Sequence, residues 1–196
     1  MLFSLKKCKE WTDQELVRRS LADVTYFSCL YERYEDSLLR YIQRLGLRDI
    51  QEARDVLQNA FVKAWKYLNT FDDRMKLSSW LYRIVHNEAI SCLRKKATST
   101  KRQQWAYAGH TEEDPEEWEK SDKWKSLEEL DEHIHVVLDQ LSLKYKDVLV
   151  LKFLENRSYE EISDILKIPE GTVATRINRA KKAFRKIAQG DELLLS

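Results

Sequence analysis

A chain of 196 residues with net charge +1, 43% hydrophobic and 34% charged residues, can build one large or two small cores beneath much solvated surface. Only 4 Gly and 2 Pro leave few tight turns, so long helices on short connections are expected. No stretch approaches the ~20 apolar residues of a membrane span, and no apolar core follows the lysines of the opening "MLFSLKKCKEW". Neither membrane insertion nor export is therefore expected, and the chain reads as cytoplasmic.

Cys8, Cys29 and Cys92 are unevenly spaced and contain no CxxC pair. That spacing predicts neither a disulfide framework nor a zinc site, but reduced thiols acting as small core residues. From about Asp13 to Lys96 apolar residues recur at helical spacing, with breaks near Leu45–Ile50 and Asn69–Leu77. "RLGLRD" holds a Gly able to close a helix, and "NTFDDRMKLSS" reads as a loop leading to an N-cap.

In "ARDVLQNAFVKAWKYL" the apolar side is Val56, Leu57, Ala60, Phe61, Ala64 and Leu68. Asp55, Gln58, Asn59, Val62 and Lys66 fall on the other side. Periodicity alone makes that second side a solvated face with one stray valine. In "SSWLYRIVHNEAISCLRKK" Leu81, Ile84, Val85, Ala89 and Cys92 form a core stripe, and Trp80, Arg83, Asn87, Ser91 and Arg94 line up opposite. Residues Ser91–Gln104, including Lys95 and Lys96, hold five bases and no acids. An aromatic, an amide and several cations on one stripe suit unstacked bases and phosphates. Trp80 fits that platform or a core position beneath the preceding loop.

Helical periodicity fails from Ala97 to Lys125, where Thr111–Lys123 carries seven acids against two lysines. This composition is that of a linker. Helical pattern resumes from Leu127 to Ala188. The expected fold is all-α: two small helical domains, 10–97 and 127–190, joined by an acidic linker, 98–126.

In the second domain Ser158 can cap a short helix that buries Ile162, Ile165 and Leu166. Lys167-Ile168-Pro169 then breaks it, and Pro suits the first turn of the next helix. The pair reads as a helix-turn-helix, whose second helix commonly enters the DNA major groove. Pro169–Lys186 holds six Lys or Arg and one Glu, a local charge of +5. On a helical wheel Val173, Ile177, Ala180 and Phe184 face the core. Thr175, Asn178, Arg179 and Lys182 lie opposite, flanked by Thr172 and Arg176. Arginine forks with Thr and Asn side chains suit base edges, and lysines suit phosphates.

His86, His110, His133 and His135 are scattered, and there is no Gly-rich phosphate loop, nucleophile elbow or paired ligand motif. No catalysis, metal or cofactor is expected.

Taken in this order and at this distance, the three motifs resemble those of a bacterial RNA polymerase sigma factor of the extracytoplasmic-function (ECF) group, over about Asp13 to Lys186. The resemblance implies that Asp55, Gln58, Asn59, Phe61, Val62 and Trp65 face core RNA polymerase, at the β′ clamp, or support that face, with the β subunit a further contact. It implies that Trp80, Arg83, Asn87, Ser91, Arg94, Lys95 and Lys96 meet the single-stranded −10 element. Thr172, Thr175, Arg176, Asn178, Arg179 and Lys182 would meet duplex DNA at the −35 element. His86 and Ser91 depart from the family's usual Arg and Asp, and Ala174 from a basic residue. The linker would thread the polymerase's nucleic-acid channel, and an anti-sigma factor is a further partner the resemblance implies. A helix-turn-helix regulator acting without polymerase is the alternative.

Overall fold

The computed structural model describes residue 8 and residues 10–99 and 127–192. These residues form eight helices: α1 (Asp13–Ala22), α2 (Phe27–Leu45), α3 (Ile50–Tyr67), α4 (Leu77–Ser99), α5 (Leu127–Gln140), α6 (Leu143–Leu149), α7 (Tyr159–Leu166) and α8 (Glu170–Glu192). No strand occurs among the described residues, so the all-α expectation holds. The acidic linker lies outside the described residues, apart from the last positions of α4.

Helix boundaries follow local chemistry. Thr12 and Glu15 cap α1 reciprocally, and Ser158 and Glu161 do the same for α7. Gly46 closes α2 with φ of 120°, a backbone region open to glycine, and the Asp49 carboxylate then accepts from the first amides of α3. Lys167 takes the left-handed conformation, φ 56°, and ends α7. The Pro169 carbonyl then accepts from the amides of Thr172 and Val173 as α8 begins.

In the first domain α3 packs on both α2 and α4, around Leu38, Tyr41, Ile42, Leu57, Leu81 and Tyr82. In the second, α8 lies across α6 and α7 over Val148, Leu151, Ile162, Ile165, Val173 and Ile177. The two domains also meet directly, α4 against α7, and their buried residues join one continuous cluster. The spacing of apolar residues carried no sign of that union.

The cysteines correct an expectation. Cys8 and Cys29 are bonded to each other, with Cα atoms 5.5 Å apart, inside the window a disulfide spans. Both are buried, and the pairing arises because the residues before α1 fold back along the start of α2. Cys92 is the free thiol among the three.

Candidate functional site

Three surfaces carry the residues singled out from the sequence. The first is the outer side of α3. Asp55, Gln58, Asn59 and Val62 are exposed there, and Val62 keeps half its surface in solvent. Trp65 stands beside them, its ring edge-on to Phe27 at 5.3 Å. Phe61 is not on this face: it is buried, packed against Tyr31 at 4.7 Å and Phe27 at 6.1 Å, and it supports the face from beneath. Tyr67, 57% exposed, is a further exposed aromatic at the end of the same helix. It went unnoticed because a lone aromatic at a helix end carries no periodic signal.

The second surface runs along α4. Asn87, Ser91, Arg94, Lys95 and Lys96 are exposed, and Arg83 is half-buried. Trp80 is only 5% exposed, edge-on to Phe71 at 5.4 Å. It is thus a core residue under the preceding loop, which removes it from the stacking platform: a ring closed in on its faces cannot receive a base. Lys96 pairs with Glu52 of α3, so the basic cluster is compensated in part by an acid distant in sequence. His86 is buried, its Nδ1 2.9 Å from the Tyr41 hydroxyl. The departure from the family's arginine at this position therefore changes the core and not the DNA-facing stripe.

Beside α4 the loop before it borders, with the start of α1, a shallow solvent-open depression of about 280 Å³ lined by Gln14, Phe71, Asp73, Arg74, Met75 and Lys76. Arg74 forks onto the Asp72 carboxylate, and those hydrogen bonds hold Asp72 down to about 2. The loop's ends were legible as turn chemistry; that it borders a depression was not.

The third surface is α8. Val173, Ile177 and Ala180 are buried and Phe184 half-buried, as the wheel required. Thr175, Asn178, Arg179 and Lys182 are exposed together on the outer side, with Thr172, Ala174 and Arg176 half-buried at its edge. The Thr175 hydroxyl donates to the Gly171 carbonyl at 2.8 Å, which leaves its methyl group and its lone pairs to face outward. The short α7–α8 turn is fixed by Ser163, whose hydroxyl donates to the Ile168 carbonyl at 2.7 Å. A rigid turn ahead of an exposed Thr/Asn/Arg stripe is what a major-groove reader needs.

Among the described residues no cluster of His, Cys, Asp and Glu could hold a metal ion. No described helix is long and apolar enough to cross a membrane.

Two helical domains, one with an exposed polar and basic stripe on α4 and one with a helix-turn-helix, define a class of architecture suited to DNA recognition. Comparison with known proteins narrows this class. Sigma-70 region 2 matches residues 30–98, and Sigma-70, region 4 matches residues 132–184. The chain is 34% identical to the ECF RNA polymerase sigma factor SigW of Bacillus subtilis, over 84% of this chain and 89% of that one. It is 33% identical to the RNA polymerase sigma-H factor of Pseudomonas aeruginosa, over 90% and 94%. In fold it matches CnrH in complex with the cytosolic domain of CnrY, with TM-score 0.67 and 21% identity over 91% of this chain and 98% of that one. It also matches the sigma factor RpoE in complex with the anti-sigma factor NepR from Bartonella quintana, with TM-score 0.61 and 21% identity over 83% and 96%. The chain belongs to the ECF sigma factor family.

Proposed function

We propose that this sigma factor divides its work among the three surfaces. Asp55, Gln58, Asn59 and Val62, with Trp65 braced on Phe27 and Phe61, bind core RNA polymerase. Arg83, Asn87, Ser91, Arg94, Lys95 and Lys96 hold the separated non-template strand at the −10 element, where bases released from duplex stacking expose faces and edges to the protein. Thr172, Thr175, Arg176, Asn178, Arg179 and Lys182 dock α8 in the major groove at −35. RNA synthesis itself belongs to the polymerase, so no residue of this chain acts as a catalyst. The working compartment is the cytoplasm, where polymerase and promoter are found. An anti-sigma factor is a partner of this chain too, as it is of the fold relative crystallised with NepR.

The observation that carries this reading is the coexistence, on one chain, of a region 2 match and a region 4 match whose outward faces hold these residues. It leaves the regulator that never joins polymerase unfavoured, since such a protein has no use for region 2. The test is transcription in vitro with purified core polymerase, with and without this chain, on a genomic promoter library. Defined start sites that need both components are expected. Specific DNA binding without initiation on active core would overturn the reading.

A further inference from the structure

The Cys8–Cys29 bond ties the residues before α1 to α2, one turn from the aromatic stack that braces the polymerase-facing side of α3. Cys8 is 6% exposed and Cys29 2%. The same segment is anchored by Arg33, whose guanidinium donates to the carbonyls of Cys8 at 2.5 Å and Trp11 at 2.7 Å and pairs with Asp13 at 2.8 Å. The Tyr34 hydroxyl donates to the other Asp13 oxygen at 2.5 Å. Trp11 then lies edge-on to Tyr26 at 5.4 Å, with the Arg19 guanidinium 4.3 Å above the Trp11 ring. Tyr26 is followed directly by Phe27, the ring that meets Phe61 and Trp65. Arg33 thus joins the backbone of Cys8 to that of Trp11, Trp11 meets Tyr26, and the adjacent Phe27 meets Trp65.

Disulfides in a reducing cytoplasm are usually transient, forming in catalysis or in redox sensing. A buried cysteine pair at bonding distance, in a chain that works there without redox catalysis, therefore fits the second role. We propose that Cys8 and Cys29 form a thiol–disulfide switch: oxidation by a low-molecular-weight disulfide fixes the start of α2 and strengthens binding to core polymerase, and reduction weakens it. The inference rests on the polymerase-binding reading of α3 given above.

The exchange proceeds in two displacements. When local opening brings Cys8, the more exposed of the pair, into solvent, its thiolate attacks a sulfur of the small disulfide, expelling one small thiol and leaving a mixed disulfide on the protein. The second cysteine thiolate attacks the protein sulfur of that mixed bond, forming Cys8–Cys29 and expelling the second small thiol. The two protein thiols lose two electrons and two protons, and the small disulfide takes up both. The Arg33 contacts to Cys8, Trp11 and Asp13 involve neither sulfur, so reduction is expected to loosen the segment without unfolding the domain. A cross-link acts chiefly by removing freedom from the chain it closes.

The experiment equilibrates the full-length chain in glutathione buffers from fully reduced to fully oxidised. Each sample is acid-quenched and denatured, and its free thiols are alkylated and counted by mass. In parallel, core polymerase binding is measured, together with amide exchange across Phe27–Leu30. One alkylated thiol is expected at the oxidised end, Cys92, and three at the reduced end. Oxidised protein should bind core at least about fivefold more tightly, the low end of an ordinary coupling between sites. It should also exchange more slowly at Phe27–Leu30. Cys8→Ser and Cys29→Ser should each bind at the reduced level in every buffer, and Cys92→Ser should respond like the native chain. Three free thiols across the whole range would overturn the switch, as would a bond that forms with no change in binding. If neither form bound core, the polymerase-binding reading would fall; the thiol count and the exchange at Phe27–Leu30 would still judge the redox tie.

Discussion

Arg44 of α2 and Glu155, just before α7, clasp the two domains together: Nη1 lies 2.7 Å from Oε1, and the Glu155 side chain is only 7% exposed. The second Glu155 oxygen accepts from the Tyr82 hydroxyl at 2.7 Å, and Arg157 stacks over the same Tyr82 ring at 4.1 Å. Arg44 also donates to the Leu154 carbonyl, and Lys76 reaches Glu161 at 3.2 Å. Region 2 and region 4 are therefore docked through a buried carboxylate with donors from the partner domain on both oxygens.

The −10 and −35 elements lie about 25 base pairs apart, about 85 Å of B-DNA at 3.4 Å per step. With α4 packed on α7 the two faces proposed to meet these elements lie too close to span that distance, so opening on the promoter is the expected outcome. Glu155→Ala should favour opening, since it removes the acceptor of the Tyr82 hydroxyl and the ion pair of Arg44 at the cost of about 2 kcal/mol of docking, discounted because Arg44 remains a quarter exposed and keeps the Leu154 carbonyl. Small-angle scattering of the free variant should give a larger radius of gyration than the native chain. An unchanged radius would show that the apolar contacts alone hold the domains.

Trp80 tests the assignment of the α4 stripe. Its burial against Phe71 makes Trp80→Ala a cavity mutation costing about 3 kcal/mol or more. Asn87→Ala, on the exposed side, should leave thermal stability nearly unchanged and lower binding to single-stranded −10 DNA. A Trp80 variant of native stability with weakened DNA binding would return the ring to the platform.

These two residues also show where reading from sequence stopped. The α8 wheel was legible because a helix buried on one side repeats its apolar residues every third or fourth position, and Val173, Ile177 and Ala180 are buried as that period requires. Trp80 was ambiguous because tryptophan suits a core and a stacking platform alike. The Arg44–Glu155 clasp was not legible, since two charges 111 positions apart look like solvated helix surface until the domains dock. The Cys8–Cys29 pair was hidden for the same reason: its partners meet through a chain reversal and not through a spacing motif.

Val62 is the most direct probe of the polymerase face. With half its surface in solvent it can be changed to Lys within ~0.5 kcal/mol of native stability, the usual range for surface substitutions. On the proposed reading Val62 is covered by core polymerase, and a cation there would be desolvated without a partner. Core polymerase affinity should fall tenfold or more, with DNA binding by the isolated chain unaltered. Native affinity in Val62→Lys would move the contact off α3.

Arg179→Ala should separate the two readers. The exposed guanidinium stands on the α8 face proposed to dock at −35, so its loss should weaken −35 duplex binding by about 1–3 kcal/mol. Transcription from −35-dependent promoters should fall while core binding stays native. If core binding fell equally, the roles given to the two domains would be wrong.

The last prediction concerns Asp147 and His86, buried side by side where α6 meets α4, with Oδ2 and Nε2 3.7 Å apart. Burial pushes Asp147 up to about 7, against the opposing pull of Lys146, Arg176 and Arg94, and its Oδ1 is buried with no hydrogen-bond partner. Burial, reinforced by Arg94, pushes His86 down to about 4. A raised carboxylate means the folded state holds a proton the unfolded chain has released. Its contribution is full below pH ~4 and is lost as pH rises toward 7. A lowered histidine means the unfolded chain holds the extra proton, so its contribution is absent at low pH and grows from about 4 to ~6.5. The two slopes oppose each other over nearly the same window, so the contributions of this pair to the pH dependence offset one another between pH 4 and 6.5. Asp147→Asn removes the falling component: stability should then rise across that window and exceed the native value at pH 8, where the native carboxylate is ionised and buried, by about 4 kcal/mol. His86→Leu should leave the falling component alone, so stability declines as pH rises from 4 to 7. Urea denaturation at each pH measures both, and parallel profiles for the native chain and Asp147→Asn would exclude a buried carboxyl that folds in its protonated form.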